Sequence, residues 1–430
     1  MTKRPYRLET LAIHAGQTPD PTTLARAVPV YRTTAFQFRN SEHGANLFAL
    51  KEFGNIYARL MNPTNDVLEK RLAELDGGAA GLTLASGTAA IYFTITNILK
   101  TGDELVSAVN LYGGTYTMFD AILPQQNNIT VRFTPVNDFE AVEKAINAKT
   151  RLIFVETIGN PALDVADLEG YAALARRHRL PLVVDATFTP PTLLRPIDHG
   201  ADVVIHSLSK WIGGHGVGIG GAVIDAGRFD WSDPRFDLYH SPDGGYHGLR
   251  FGHDLGELSR LAFILRLRTV GLRNQGPTLA PDAAWQFLQG VETLPLRMAR
   301  HSENALATAE FLKKQPQVAW VRYPGLPGDP AYPLAQKYLP AGAGGMVVFG
   351  VKGGREAAVK LVDNIKLFSL LANVGDAKSL IIHSASTTHS QLSGQAQAAG
   401  GLHDDLIRLS IGLEHIDDIL EALAEALALI

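Results

Sequence analysis

From about residue 63 onward the chain alternates between short apolar runs and amphipathic stretches. The runs are Gly81-Leu82-Thr83-Leu84, Glu104-Leu105-Val106, Leu152-Ile153-Phe154-Val155, Leu182-Val183-Val184, Val203-Val204-Ile205 and Ala222-Val223-Ile224. Such runs suit strands buried on both faces. Between them lie helical stretches such as Leu168 to Arg177. The alternation predicts an α/β fold with a mainly parallel central sheet covered on both sides. Pro63-Thr64-Asn65-Asp66 opens a helix, Val67, Leu68, Leu72 and Leu75 recur along one face, and Gly77-Gly78 stops it.

The flanks read differently. Residues 1–60 are polar and aromatic with little periodicity, as in an arm that needs a partner surface. Phe229 to Gly256 is rich in Gly, Pro, Asp and His and reads as a long functional or interface loop. A second unit begins near Glu257, with a helical pattern through Leu296, Met298, Ala305, Ala309 and Leu312. Strands at Val318-Ala319-Trp320-Val321 and Met346-Val347-Val348-Phe349 follow, and a helix closes the chain from Ile419 to Ile430. The expected organisation is an arm (1–60), a large α/β domain (61–256) and a smaller C-terminal α+β domain (257–430).

Composition narrows the possibilities. A length of 430 residues allows two or three structural units, and a net charge of -4 without a dense basic block argues against nucleic-acid binding. The absence of cysteine excludes disulfides, thiolate metal sites and a Cys nucleophile. The basic opening, Met1 to Arg7, has no apolar core after it, and no apolar run reaches transmembrane length. A cytoplasmic location is expected.

The candidate chemistry lies where ligands of open α/β sheets sit, beyond the carboxyl ends of strands. Ser207-Leu208-Ser209-Lys210-Trp211-Ile212-Gly213-Gly214 follows one buried run. A lysine flanked by hydroxyls and glycines suits a Schiff base beside a phosphate ester, although a surface lysine at a strand end would look similar. Ala85-Ser86-Gly87-Thr88 opens a helix, so the N–H groups at Gly87 and Thr88 could meet a phosphate; ordinary capping by Ser86 is the plain alternative. Asp185 ends a strand and could pair with a protonated pyridine nitrogen, or simply cap a helix. Tyr112 between glycines could stack on a ring or be structural. Tyr57 and Arg59 could reach one phosphate. Arg408, inside the apolar run Leu406-Ile407-Arg408-Leu409, calls for an anion: a substrate carboxylate or a structural partner. The fourteen histidines give no metal signature; His383 and His389 lack a third ligand. The glycines from Gly213 to Gly221 precede a strand instead of opening a helix, which argues against a dinucleotide loop.

Taken together, these stretches resemble the Cys/Met-metabolism family of pyridoxal-phosphate (PLP) enzymes, which have the aspartate-aminotransferase-like fold type I. The carrying segments are Tyr57 to Asp66, Glu156-Thr157-Ile158-Gly159-Asn160-Pro161, Lys210 to Gly221, Glu292 to Met298 with His301 to Asn304, and Leu371 to Leu380. The pattern is most similar to the sulfhydrylases of O-acetylhomoserine. The resemblance implies that Lys210 carries the cofactor and shuttles protons, and that Asp185 and Thr187 meet the ring. Gly87, Thr88, Ser207 and Ser209 would bind the phosphate, joined by Tyr57 and Arg59 from a neighbouring subunit. Tyr112 would stack on the ring and assist proton transfer. Arg408, Asn160 and Asn373 would hold the substrate carboxylate. The implied assembly is a homotetramer built from dimers with shared sites.

Several positions depart from the family pattern: Ala186 replaces Asn, Thr88 stands where Gln is usual, Ser209 replaces Thr, and Ser384 replaces Pro. The implied reaction is a γ-replacement of O-acetylhomoserine by sulfide or methanethiol, giving homocysteine or methionine. Cystathionine γ-synthesis and methionine γ-lysis remain alternatives; Gly114 stands where the lyases carry Cys beside the stacking Tyr. A catalytically silent PLP-binding regulator is the alternative from another class.

Overall fold

The computed structural model describes residues 6–387 and 403–430, so His389 lies outside the described residues. The first sheet contains β1 (Ala80–Leu84), β2 (Glu104–Ala108), β3 (Thr130–Thr134), β4 (Thr150–Glu156), β5 (Leu182–Asp185), β6 (Val203–Ser207) and β7 (Gly221–Asp225). Their order is β1-β7-β6-β5-β4-β2-β3. β2, β3, β4, β5 and β6 pair in parallel, whereas β7 runs antiparallel to both β1 and β6. All six expected runs are strands here. β3 has no such run: it is an edge strand, Thr130-Val131-Arg132-Phe133-Thr134, mostly open to solvent on alternate residues, and an edge needs no continuous apolar stretch.

Side chains alternate between two cores. Val155, Val184 and Val204 face one core with Leu68 and Leu72 of α3 (Pro63–Asp76), the helix after α1 (Leu8–His14) and α2 (Ser41–Phe48). Phe154, Val183 and Ile205 face the other with Ile91 and Ile95 of α4 (Gly87–Ile98). Burial on both faces is why the strands read as unbroken apolar runs. α3 begins where Asn62 accepts a hydrogen bond from the Thr64 amide (2.9 Å) and ends at Gly77, whose φ of 72° is left-handed.

The second sheet holds β8 (Val318–Arg322), β9 (Met346–Val351), β10 (Ser369–Leu370), β11 (Leu380–His383) and β12 (Leu406–Ser410) in the order β10-β11-β12-β9-β8. β12 is its central strand, antiparallel to β11 and β9, which puts Arg408 inside the sheet. The helices Leu294–Lys313 and Gly354–Asn364 pack against it, and Ile416–Leu427 packs on those two helices.

Three local differences from the sequence reading have clear causes. Residues 1–60 contain two short helices, Leu8–His14 and Ser41–Phe48, and the first packs on its own chain. Ala12 is fully buried, and the Ala15 carbonyl accepts from the Arg71 guanidinium (2.9 Å). The loop after Phe229 is a small aromatic core: Trp231, Phe236, Tyr239 and Phe251 are buried, with Trp231 and Tyr239 stacked at 4.6 Å. Leu296 lies on the solvent face of its helix, 76% exposed, while Met298, Ala305, Ala309 and Leu312 are buried. The glycine run to Gly221 enters β7, as its lack of a following helix required. Among the described residues no helix is long and apolar enough to cross a membrane.

Asp225, at the end of β7, is wholly enclosed. Its carboxyl accepts from the Gly227 amide (2.8 Å) and more distantly from the Ile264 amide (3.4 Å), and has no ion-pair partner among the described residues. Burial pushes its pKa up to about 7, and nearby Asp202 adds to the shift. The native state therefore keeps a proton that the unfolded chain releases between about pH 4 and about pH 7, so this group lowers stability progressively across that window and fully above it. Asp225→Asn keeps an acceptor and removes the charge. It should match wild type at about pH 4 and gain roughly 2–4 kcal/mol at about pH 8, read from paired denaturation curves.

Candidate active site

Four parallel strand ends and one strand of the second sheet line a cavity of about 570 Å³. Its walls include Gly87 and Thr88 after β1, Glu156 at the end of β4, and Asp185 and Thr187 after β5. Ser207, Ser209 and Lys210 follow β6, and Arg408 comes from β12. Tyr112, Asn160 and Asn373 complete the set brought together. Lys210 sits in the connection between β6 and β7. The antiparallel turn returns the chain at the same sheet end without a crossover helix, so the amine stays over the strand ends.

The phosphate-type segments touch each other. A Cβ on Gly87 would lie 2.6 Å from the Ser207 Cβ, so only glycine lets the start of α4 approach β6 this closely. Ser86 caps α4 by accepting from the Ala89 amide (3.0 Å), which leaves the Gly87 and Thr88 amides at the helix mouth. The Ser209 hydroxyl accepts from the Gly220 amide (3.0 Å) and so also ties the turn around Lys210. Beneath that turn the buried Arg297 guanidinium donates to the carbonyls of Trp211 (2.7 Å), Ile212 (3.1 Å) and Gly290 (2.6 Å).

Two cations share the cavity. The Lys210 amine donates to the Asn373 side-chain oxygen at 2.6 Å. Burial first, and then the nearby Arg408 charge, together pull its pKa down to about 8. Arg408 is buried, donates to the Asn160 side-chain oxygen (3.2 Å) and the Asn373 carbonyl (3.5 Å), and has no carboxylate partner among the described residues. Burial draws its pKa down to about 10. A guanidinium so placed retains donors for an incoming anion.

Two acids sit side by side. Glu156 and Asp185 are direct partners across the β4–β5 ladder, and both are buried. Asp185 accepts from the Thr187 amide (2.9 Å), while the Thr187 hydroxyl accepts from the Ser207 amide (2.9 Å). Burial pushes the Asp185 carboxyl upward, and pushes Glu156 much further because Asp185 adds its charge. Glu156 was given no role in the sequence reading. Its signal was there: a carboxylate closing the run Leu152 to Val155, in the same position that Asp185 holds after Leu182 to Val184.

Tyr57 and Arg59 do not line this cavity. The Arg59 guanidinium rests 5.0 Å from the Tyr57 ring centroid, and Tyr57 is 39% exposed. Any part they take in such a site needs a second copy of the chain. No cluster of three potential metal ligands occurs among the described residues. A shallower depression of about 620 Å³ beside Arg176, Arg179 and Asp202 lies at the opposite strand ends, far from the amine.

Comparison with known proteins adds an independent line. The family described as Cys/Met metabolism PLP-dependent enzyme matches residues 9–428. The O-acetyl-L-homoserine sulfhydrylase of Leptospira meyeri is 52% identical over 99% of this chain and 97% of its own. O-acetyl-L-homoserine sulfhydrylase 1 of Thermus thermophilus is 53% identical over 98% of this chain and 100% of its own. The homocysteine synthase of Schizosaccharomyces pombe is 48% identical over 97% of each. A chain from Campylobacter jejuni, provisionally named an O-acetylhomoserine (thiol)-lyase and solved with N'-pyridoxyl-lysine-5'-monophosphate, superposes with a TM-score of 0.94. It is 40% identical, covering 98% of this chain and 100% of that one.

The cation pair makes a direct prediction for the cofactor-free protein. The Lys210 amine should titrate near about 8, and Arg408→Leu should raise that midpoint because a neighbouring positive charge no longer opposes protonation. Acylation of Lys210 across pH, followed by peptide mass spectrometry, checks both.

Proposed function

We propose, for a chain that belongs to the Cys/Met-metabolism PLP-dependent enzymes, that its cavity converts O-acetyl-L-homoserine and sulfide to homocysteine and acetate. The observation that carries the reading is the meeting in one cavity of a low-pKa amine, Lys210, and a buried guanidinium, Arg408, that lacks a carboxylate partner among the described residues.

The residues present fit PLP. Lys210 offers an amine that is readily deprotonated for the covalent link. Asp185 is a buried carboxyl with no ion-pair partner among the described residues, suited to a pyridine nitrogen, with Thr187 beside it. The bare Gly87 backbone, Thr88, Ser207 and Ser209 form the side suited to the phosphate. Tyr112 stands over the opening with its ring half exposed, in position to cover a bound ring. When bound, PLP supplies an electron sink for a carbanion next to the substrate nitrogen.

The chain's own groups do the rest. Arg408, with Asn160 and Asn373, would take the substrate carboxylate and fix which face of Cα meets Lys210. The Lys210 amine, once neutral, can take the proton from Cα and deliver protons between Cα and Cβ, and Tyr112 is placed to assist. In the net exchange the Cγ–O bond to acetate breaks and a Cγ–S bond to sulfide forms. Ile91, Ile158, Phe188, Ile219 and Val374 give the cavity an apolar lining that limits competing water.

Gly114 bears on the lyase alternative. A Cβ there would fall 2.5 Å from the Tyr112 ring, so a larger residue would move the ring from its present place. The test is a substrate panel: O-acetylhomoserine with sulfide, with methanethiol and with cysteine, then methionine alone. Homocysteine should form in the first mixture; cystathionine from the third, or ketobutyrate from methionine with no homocysteine from the first, would overturn the assignment.

Two variants test the residues. Arg408→Lys should lower kcat/KM for O-acetylhomoserine by about 2–5 kcal/mol in transition-state terms while cofactor content stays near normal, since an ammonium cannot reproduce the planar fork. Loss of cofactor in step with activity would make Arg408 structural. We further assign Tyr57 and Arg59 to the phosphate of a neighbouring subunit, within a tetramer of paired dimers. Mixing inactive Arg59→Ala and Lys210→Ala subunits should then restore part of the activity; no recovery after verified subunit exchange would count against shared sites.

A further inference from the structure

We propose that Glu156 is a positioning residue whose side chain, through the Tyr112 amide, sets the Tyr112 ring over the cavity. The inference rests on the PLP reading of this cavity. Little else holds Tyr112 beyond its carbonyl, which accepts from the Tyr116 amide (2.9 Å). The residue precedes the short helix Gly113–Thr117, and its ring is 49% exposed. Its phenol has no hydrogen-bond partner among the described residues. Its amide donates to the Glu156 carboxyl at 2.7 Å, and Gly114 leaves the space the ring occupies. The ring direction is therefore set through the backbone. Glu156 fixes one end of that backbone from the rigid end of β4.

Glu156 does this as a neutral acid. Its ladder partner Asp185 is equally enclosed, and two adjacent carboxylates in a dry site repel. Asp185 has more to stabilise its charge: the Thr187 amide and hydroxyl, and the buried His206 paired with Asp76 at 2.8 Å. Among the described residues Glu156 has only the Tyr112 amide, and no cation pairs with it. Burial and the Asp185 charge both push its pKa well up, so the shared proton stays on Glu156. A protonated carboxyl still presents a carbonyl oxygen to the Tyr112 amide. A glutamine presents the same oxygen and cannot ionise.

The test compares Glu156→Gln and Glu156→Ala holoenzymes. Glu156→Gln should keep the visible circular-dichroism band of the bound cofactor and kcat/KM for O-acetylhomoserine within about threefold of wild type. Glu156→Ala should lose about tenfold or more in kcat/KM, the factor a lost buried hydrogen bond represents, and should alter that band at normal cofactor content. In the cofactor-free protein at neutral pH, the infrared carbonyl band of a protonated carboxyl should be present in wild type and diminished in Glu156→Gln. The infrared readout needs neither turnover nor the alanine variant, and the circular-dichroism band needs no turnover, so failure of the sulfhydrylase assignment would not be mistaken for failure here. An unchanged band and rate in Glu156→Ala, equal damage in both variants, or no infrared difference would each overturn the proposal.

Discussion

The central constraint is the enclosure of two cations, Lys210 and Arg408, in one cavity with no carboxylate partner among the described residues. Burying charge without a partner is costly, so the surroundings must be rigid enough to prevent collapse onto a counter-ion. The parallel strand ends provide that rigidity on one side. On the other, β12 is flanked by β11 and β9, which holds the Arg408 backbone in place. Among the described residues, neutral oxygens of Asn160 and Asn373 are what reach the two cations. The anionic capacity is left for a ligand.

Register organises the rest. Glu156, Asp185 and Ser207 end β4, β5 and β6, and the first two are direct ladder partners. Backbone paired in a sheet is held more precisely than a loop, so the Cα atoms of these groups keep fixed spacings. β7 then reverses direction, so the chain returns from Lys210 through glycines packed closely on their neighbours. Gly221, for example, would place a Cβ 2.1 Å from the Ser86 carbonyl oxygen. The turn that carries the amine is thus clamped from beneath by Arg297 and from the side by Ser86 and Gly220.

The departures from the family pattern fall at positions with different physical weight. Ala186 is fully buried in the core that holds Val155, Val184 and Val204 and does not line the cavity, with its amide bonded to the Ile205 carbonyl, so a small residue preserves the strand exit. Thr88 and Ser209 face the cavity and keep hydroxyls there. Ser384 is buried with its hydroxyl unpartnered among the described residues, and nothing in the structure explains why a polar residue stands there.

Much of the fold was readable because both sheet faces are buried, which writes β1, β2, β4, β5, β6 and β7 as apolar runs. Lys210, Asp185, Gly87 and Arg408 were also legible as residues, since an amine, an acid or a guanidinium at the end of or inside such a run is chemically out of place. What the sequence alone determined was therefore the parts and the fold type. It could not show that Gly87 and Ser207 touch, that Lys210 rests on Asn373 across 163 positions, or that Glu156 and Asp185 are neighbours. Nor could it show that the stretch after Phe229 is an aromatic core. Periodicity reports which face of one element is dry, whereas these contacts depend on strand order and register between distant segments. Only the tertiary structure decided that two cations would meet and two acids would share a charge.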